Sequence, residues 1–361
     1  MAADYVNLAC PAARDGRRVT TGGCMRAVLL DGYGGVERLR VAQAPDAAPP
    51  GRGQIRVRVH AASLNPIDWK VCAGYFPLIP GQRMPMIPGS DCSGVIDAVG
   101  AGVEDLKVGD AVFGLISGGC GHTFAESVTA PAKRFVRKPD NVSHAEAASA
   151  ALVGVTALEA LNRGVTLKAG EHVFISAGAG GVGSFAVQYA HSIGAHVSAS
   201  ASAANRDFVL SLGARDVYDY AAGDLAVQLS GLDVLFDAFG ELDARCYLPC
   251  LKPGGVFVTT GSGGRSMDEL ARRYGKRWWL FAGLMDVLRL RWYARGLERR
   301  RVAMVFGQPR PQHLSRIAEL LASGQVKAQV AKVYPLEDIE QAFSDGQTGH
   351  ARGKRVLQIV G

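Results

Sequence analysis

The sequence lacks any hydrophobic run long enough to cross a membrane, since none of its stretches reaches about 18 consecutive apolar residues. It also lacks CxxC pairs, and its seven cysteines are an odd number, which excludes a complete disulfide framework. The residues are 48% hydrophobic and 20% charged, a composition typical of a globular protein. The length of 361 residues is sufficient for two domains. We interpret the cysteines as small buried side chains in a reducing compartment and therefore expect a cytoplasmic location.

The first 24 residues lack the apolar core of a secretory signal. Their three arginines leave organelle targeting open as an alternative, although two aspartates are unusual in a transit peptide. A clear strand pattern begins at Met25. We therefore separate a leader, residues 1–24, from the folded part of the chain.

Two kinds of periodicity divide the folded part. Residues 25–148 contain short, β-branched strand patterns between turns, as in the alternation from Ile55 to Val59. Residues 149–324 alternate between helix and strand patterns, the order typical of a parallel α/β sheet. Residues 325–361 return to short strands. We predict a β domain that is interrupted by an inserted α/β domain.

A glycine-rich GxGxxG segment follows a predicted strand and begins a predicted helix. Such glycines permit a tight turn, allow a pyrophosphate to approach bare backbone and let the helix pack closely on the strand. The helix N-terminus then offers free N–H groups to the phosphates. The segment predicts a dinucleotide site whose loop contacts are Gly178, Gly180, Gly181, Val182 and Gly183.

The residues after the next strand favour NADPH over NADH. An NAD site keeps an acidic residue about 20 residues after the loop, for the ribose 2′-hydroxyl, but the segment from Ser198 to Arg206 has none. Hydroxyls of Ser200 and Ser202, the guanidinium of Arg206 and the nearby Tyr220 suit a 2′-phosphate instead. The alternative is that these are ordinary solvated polar side chains.

Several motifs resemble the medium-chain dehydrogenase/reductase superfamily, among them Ser63–Asp68, Ile87–Gly94, Val108–Val112 and Ala177–Gly183. The resemblance implies a GroES-like β-barrel catalytic domain with an inserted Rossmann fold, a doubly wound parallel sheet. Zinc alcohol dehydrogenases of this superfamily have Cys where this chain has Asn65, and Gly-His-Glu where it has Gly89-Ser90-Asp91. We therefore expect a member without zinc.

Within that superfamily the chain is most similar to the quinone oxidoreductase branch, including its chloroplast-envelope and mitochondrial reticulon-interacting members. The resemblance implies an enzyme that transfers hydride from NADPH to a quinone or to the C=C bond of an α,β-unsaturated carbonyl. The alternative is a module that binds NADPH as a sensor or scaffold without turnover.

Hydride transfer to such an acceptor needs a donor for the oxyanion that forms. The resemblance places Lys70 in the loop that faces the nicotinamide, so Lys70 is the candidate donor, and the amide of Asn65 is a second candidate. Asp68 is expected to orient Lys70 or the loop. The alternative is a solvated lysine and an aspartate that caps a turn.

The resemblance implies further cofactor contacts. Thr156 matches a threonine near the nicotinamide, and Val305 and Phe306 are expected to end the last strand beside the nicotinamide amide; the alternatives are an ordinary helix residue and core packing. Gly240, Gly261 and Ser262 follow the carboxyl ends of two strands, where dinucleotides bind. Lys354 or Arg352 is a further candidate for the 2′-phosphate.

The formal charge of +7 has a single source. Residues 265–301 contain 11 Lys or Arg and 4 Asp or Glu, so this segment alone carries +7, and it holds three of the four tryptophans. The favoured interpretation is a lid over the substrate cleft or a subunit contact, which predicts a homodimer. A weak contact with a membrane surface is the second interpretation. A nucleic-acid partner is not expected, because no binding motif accompanies the segment.

Overall fold

The computed structural model describes residues 23–76, 84–116, 121–264, 267–276, 278–349 and 352–360. Residues 1–22 of the predicted leader lie outside this description, as do residues 265, 266 and 277 of the basic segment. The strands are β1 (Cys24–Leu30), β2 (Leu39–Pro45), β3 (Gln54–Ser63), β4 (Asp91–Val99), β5 (Ala111–Leu115), β6 (Ser127–Pro131), β7 (Phe135–Arg137), β8 (His172–Ile175), β9 (His196–Ala201), β10 (Asp216–Asp219), β11 (Leu232–Asp237), β12 (Leu251–Thr259), β13 (Arg301–Met304), β14 (Val330–Pro335) and β15 (Lys354–Gln358). The α-helices are α1 (Pro66–Cys72), α2 (His144–Leu158), α3 (Gly181–Ile193), α4 (Arg206–Ser211), α5 (Leu225–Gln228), α6 (Ala244–Tyr247), α7 (Met267–Tyr274), α8 (Trp279–Gly296), α9 (Pro311–Ala322) and α10 (Ile339–Gln347).

The β domain is a sheet in which the order is β14-β15-β3-β4-β5-β7, with β6 also paired to β3. The alternation predicted from Ile55 to Val59 is observed, because Ile55, Val57 and Val59 are fully buried in β3. The returning strand β15 pairs antiparallel with β3. Residues from both ends of the chain therefore build one hydrophobic core, which includes Tyr334, Phe343 and Leu357.

The inserted domain is a parallel sheet in the order β10-β9-β8-β11-β12-β13. Relative to the first strand, this is the 3-2-1-4-5-6 order of the doubly wound nucleotide-binding fold. The order reverses between β8 and β11, and a ligand crevice forms at such a reversal, beyond the carboxyl ends of the strands. The predicted class, a β domain with an inserted doubly wound sheet, is confirmed.

Helix α2 connects the two domains without a flexible linker. Ser143 and Glu146 form reciprocal hydrogen bonds that cap its first turn. Most of its small side chains are buried, since the helix lies between the two sheets. The predicted domain boundary, between residues 148 and 149, falls inside this helix.

The structure bears on two predictions, that the cysteines are free and buried and that no segment spans a membrane. Cys72, Cys92 and Cys250 are free and buried, as expected, whereas Cys246 is free but exposed. Cys24 is disulfide-bonded, so the expectation of free cysteines is wrong for this residue. Within the described ranges, no helix combines the length and the hydropathy that a membrane span requires.

Candidate functional site: a dinucleotide cradle joined to the β domain

The glycine-rich loop lies between β8 and α3, where close backbone contacts require glycine. A Cβ atom added to Gly183 would lie 2.1 Å from the carbonyl oxygen of Ala177, and one added to Gly178 would lie 2.9 Å from the Ala199 side chain. Ala177 itself has a φ of 51°, a rare conformation for a residue other than glycine. Its N–H donates to the Ser200 hydroxyl at 3.1 Å. The structure therefore gives the buried Ser200 a supporting role beneath the loop.

The first turn of α3 has the features that a phosphate group requires. Gly180 precedes the helix and provides no side chain to cap its N–H groups. Gly181 and Val182 form the start of the helix, at its positive end. At the carboxyl end of β8, Gly178 and Gly183 have no room for side chains, so α3 packs closely on the strand and its first turn lies directly beyond the strand end. These residues fit a dinucleotide pyrophosphate, as the sequence predicts.

The loops after β11 and β12 meet at the same end of the sheet. A Cβ atom on Gly261 would lie 1.9 Å from the carbonyl oxygen of Gly240, so the two loops touch through bare backbone. Beneath them the carboxylate of Asp237 accepts hydrogen bonds from Gly240 N–H at 2.9 Å and from the Thr259 hydroxyl at 2.9 Å. Ser262 is buried next to this contact. Asp237, which the sequence reading missed, holds both loops in place.

The end of β13 approaches α2. Val305 is buried and the Phe306 side chain is 64% exposed. At the following Gly307, which has a φ of 60°, an added Cβ would lie 2.6 Å from the Thr156 hydroxyl. The structure thus brings Thr156 together with Val305 and Phe306, three residues for which a nicotinamide contact is predicted.

Besides Ser200, three residues are predicted to contact a 2′-phosphate, and their surroundings differ. Ser202 is half-buried just beyond β9, and Tyr220 is exposed just beyond β10. The guanidinium of Arg206 donates to the carbonyl oxygen of Val217 on β10.

Of the two further candidates for the 2′-phosphate, the structure favours Arg352. Its exposed guanidinium donates to Asn205 Oδ1 at 2.6 Å and to the carbonyl oxygen of Ala204 at 2.5 Å, directly after β9. The alternative prediction for Lys354 is wrong, because its ammonium is buried and bonded elsewhere. Its Nζ donates to the carbonyl oxygen of Leu64 and to Asn65 Oδ1.

Lys354 lies where the two domains meet. The adjacent Gly353 forms a parallel bridge with Gly180, and its N–H donates to the carbonyl oxygen of Ala179 at 2.8 Å. A Cβ on Gly181 would lie 2.6 Å from Cδ of Lys354. The Lys354 side chain therefore contacts the phosphate loop through its methylene groups and the loop before α1 through its ammonium group.

Buried carboxyl groups surround the Lys354 ammonium. Asp68 and Asp91 are fully buried, and Lys354 is 7% exposed. Burial lowers the pKa of Lys354, and the carboxylates of Asp91 and Asp68 oppose that shift. Burial also raises the pKa of Asp91, which Lys354 opposes. Asp91 is a functional candidate to which the sequence analysis gave no role, and its only signal was its position in the Ile87–Gly94 motif. Lys354 was predicted to contact the 2′-phosphate, a role different from the one that the structure gives it.

Asn65 and Asp68 act within this group. The Asn65 amide donates to the Ser63 carbonyl at 3.2 Å and to Asp91 Oδ1 at 3.1 Å. Both of its N–H bonds are thus used inside the protein, and donation to a substrate oxygen would require one of them to break. Asp68 accepts from Asn65 N–H at 2.8 Å and from the Ser90 hydroxyl at 2.6 Å. Asp68 therefore caps the first turn of α1, which is the alternative to its predicted role, and the same bonds hold the loop at Asn65.

The environment of Asp68 is unusual for a carboxylate. Burial raises its pKa to about 7, and the charge of Asp91 adds to this shift, while the hydrogen bond from Ser90 opposes it. Lys70 lies on the same helix two residues later and is half-buried. The structure thus places the candidate donor on a helix whose first turn is held by Asn65 and Asp68.

Part of the basic segment contacts the β domain near Lys70. The indole N–H of Trp279 donates to the Tyr75 carbonyl at 2.8 Å, and the Phe76 ring meets the Trp279 ring edge-on at 5.4 Å. Lys276 donates to the Ala73 carbonyl at 2.5 Å. Helices α7 and α8 of the parallel-sheet domain thereby pack on the start of the loop that follows α1.

Metal ligands are sparse at this site. Among the residues that the structure describes, no group of three or more His, Cys, Asp or Glu side chains is placed to hold a metal ion. Asn65 and Ser90 lie where the resemblance would place zinc ligands, and both are bonded to neighbouring protein groups.

Comparisons with known proteins agree with this architecture. A family model described as "Alcohol dehydrogenase GroES-like domain" matches residues 51–140, and one described as "Zinc-binding dehydrogenase" matches residues 212–357. A chloroplast envelope quinone oxidoreductase homolog from Arabidopsis thaliana is 30% identical over 348 residues, covering 93% of this chain and 99% of the relative. A mitochondrial NAD(P)H oxidoreductase from Danio rerio is 34% identical over 362 residues, covering 93% and 92%.

Among solved structures, the quinone oxidoreductase from Coxiella burnetii superimposes with a TM-score of 0.80 at 27% identity, covering 94% of this chain and all of that one. The GroES-like domain, the six-stranded sheet and the glycine loop between β8 and α3 define a medium-chain dehydrogenase/reductase, and the chain belongs to that superfamily. Within the superfamily it is a member of the quinone oxidoreductase branch.

Proposed function

We propose that the protein is a zinc-independent oxidoreductase that transfers hydride from NADPH to a quinone or to the C=C bond of an α,β-unsaturated carbonyl. One observation carries the proposal. Lys354 contacts both the phosphate loop, at Gly181, and the loop before α1, at Leu64 and Asn65. A dinucleotide held by the phosphate loop would therefore extend toward the helix that bears Lys70.

Different residues of the chain have different roles in the proposed reaction. When bound, the dinucleotide supplies the hydride. The start of α3 and the loops at Gly240 and Gly261 would hold it, and Thr156 and Phe306 border the place for its nicotinamide. Lys70 is proposed to donate a hydrogen bond to the acceptor oxygen as negative charge develops there. The relatives named above as quinone and NAD(P)H oxidoreductases support the same reaction class.

Turnover tests this proposal. We expect NADPH oxidation with a panel of small quinones and enones, and a Lys70→Met variant whose kcat is lower by about tenfold or more. Lys133→Met, in the turn before β7, is the control and should leave kcat unchanged. Tight NADPH binding without turnover on any acceptor would favour the sensor or scaffold alternative. An unchanged kcat in Lys70→Met would remove Lys70 from the mechanism.

The proposed preference for NADPH rests on Arg352, whose guanidinium lies against Ala204 and Asn205 just after β9. We expect Arg352→Gln to raise the KM for NADPH by about tenfold, since a charge-assisted contact is lost, and to leave the KM for NADH unchanged. Arg316→Gln, a surface arginine on α9 paired with Glu319, is the matched control. A parent enzyme that prefers NADH would contradict the assignment and direct attention to Asp219, whose strand pairs with Ala201.

Metal analysis tests the remaining part. We expect the purified protein to contain less than one zinc per chain and to keep its activity after treatment with a chelator. Activity that is lost on chelation and restored by zinc would contradict the zinc-independent mechanism.

A further inference from the structure

Helix α8 has two faces that carry large apolar side chains, and the residues that the structure describes cover only one of them. The inner face is buried against the two domains and consists of Trp279, Gly283, Asp286, Val287, Leu290 and Ala294. On the opposite side, Phe281, Leu284, Leu288 and Trp292 are 60%, 48%, 47% and 80% exposed. Their spacing of three and four residues places them in one stripe along the helix. Trp278, just before the helix, is 63% exposed and extends the stripe. We call this set the outer stripe.

The outer stripe is not ordinary surface. Scattered single apolar side chains are normal on a protein, but a continuous stripe of large ones marks a contact. A helix that is apolar on opposite faces is stable only when both faces are covered. Of the exposed large apolar side chains among the described residues, half lie between Tyr274 and Tyr293. The outer stripe therefore needs a partner other than the chain's described residues.

Positive charge borders the outer stripe. Arg289 and Arg291 are exposed and, at 100° per residue, lie about 80° to either side of Phe281 on the helix, while Arg295 lies within the arc of the stripe. The Nε of Arg291 also donates to the carbonyl oxygen of Val302 at 3.1 Å. The segment 265–301 carries the whole formal excess of +7. An apolar stripe with tryptophan near both ends and flanking arginines suits the boundary between lipid headgroups and acyl chains. There the rings and leucines enter the acyl boundary, and the guanidinium groups meet lipid phosphates.

The charges also distinguish a membrane from a second copy of the chain. A symmetric dimer through this helix would bring the same face of two copies together. The arginines Arg289, Arg291 and Arg295 of both copies would then be gathered in one interface, and like charges in an interface oppose association. An anionic bilayer supplies the opposite charge and an apolar layer at once. We propose that the outer stripe docks on an anionic membrane surface.

Docking would also place the cleft next to the bilayer. The inner face of the same helix carries Trp279, which bonds the loop after α1 at Tyr75. The docking itself needs no turnover, so it is measured separately from the proposed function.

Sedimentation with vesicles tests the proposal. The full chain is mixed with vesicles of equal parts phosphatidylglycerol and phosphatidylcholine, or of phosphatidylcholine alone. We expect binding to the anionic vesicles at low salt, weaker binding at high salt, and much less binding to the neutral ones. The variant with Arg289→Gln, Arg291→Gln and Arg295→Gln should bind the anionic vesicles about a hundredfold more weakly.

A second variant tests the apolar part. Phe281→Glu with Trp292→Glu should reduce binding by at least tenfold, whereas Val227→Glu, at an 83% exposed site on α5, should leave it unchanged. Circular dichroism verifies that each variant is folded, as expected for exposed positions. Absence of binding at low salt, or equal binding by the two glutamate variants, would overturn the proposal. So would a dimer, seen by sedimentation equilibrium without vesicles, that Phe281→Glu with Trp292→Glu abolishes.

Discussion

At the scale of single residues, the protonation of Asp68, a residue of the candidate site, affects the stability of the folded protein. Its carboxyl is fully buried beside Asp91 and Lys354, and its pKa of about 7 lies above the ordinary 3.8. Between these two values the folded state holds more protons than the unfolded state, so stability falls as the pH rises through the window. A single group contributes at most about 1.4 kcal/mol per pH unit.

Asp68→Asn removes this titration and keeps one acceptor and one donor for its two neighbours. We expect the thermal midpoint of the parent protein to fall from pH 5 to pH 7 and that of the variant to be flatter. Differential scanning fluorimetry across that range measures both. Asp140→Asn, at an exposed position, should retain the parent slope. A parent profile as flat as that of Asp68→Asn would mean that Asp68 ionises normally.

At the scale of elements, the turn from β8 into α3 is limited by backbone contact. In most helices Gly→Ala is stabilising by up to about 1 kcal/mol. At Gly183 the added methyl carbon would lie 2.1 Å from the Ala177 carbonyl oxygen, so the loop must move. We expect Gly183→Ala to weaken NADPH binding by about tenfold or more, measured by isothermal titration calorimetry. The control is Gly296→Ala, near the end of α8, where an added Cβ has no atom within 4 Å; this variant should bind NADPH as the parent does. Equal affinities of the parent, Gly183→Ala and Gly296→Ala would show that the loop can move without a loss of binding free energy.

The sequence pattern predicts the centre of a strand but not the residues at which the strand begins and ends. The alternation from Ile55 to Val59 predicts β3, but the strand continues to Ser63 because Ala61–Ser63 pair with β4 and β15. Those partners come from distant parts of the chain, so no local pattern marks the extension. For the same reason β4 extends from Asp91 to Val99 although only its centre has a strand pattern.

At the scale of the whole molecule, the two domains are joined at several buried points. Helix α2 lies between both sheets, Gly353 pairs with the phosphate loop, and Arg134 of the β domain donates to the Pro309 carbonyl at 2.9 Å. Domains that share buried elements unfold together. We expect one calorimetric transition, which NADPH shifts as a whole to higher temperature. Two resolved transitions, of which NADPH moves only one, would show that the domains are independent.

The sequence by itself determined the class of the protein and the glycine loop, because periodicity and close backbone approach depend on neighbours in the chain. It also located the charge excess in residues 265–301. Only the tertiary structure decided which partner each polar group has. Lys354 and Asn65 are 289 residues apart in the chain, yet their side chains lie 2.5 Å apart. The same holds for α8, whose two apolar faces look alike in the sequence. Only packing distinguishes its buried face from the outer stripe: Trp279 packs against Tyr75 and Phe76, and Leu290 and Ala294 pack in the core of the parallel-sheet domain. Burial depends on what the fold places alongside the helix.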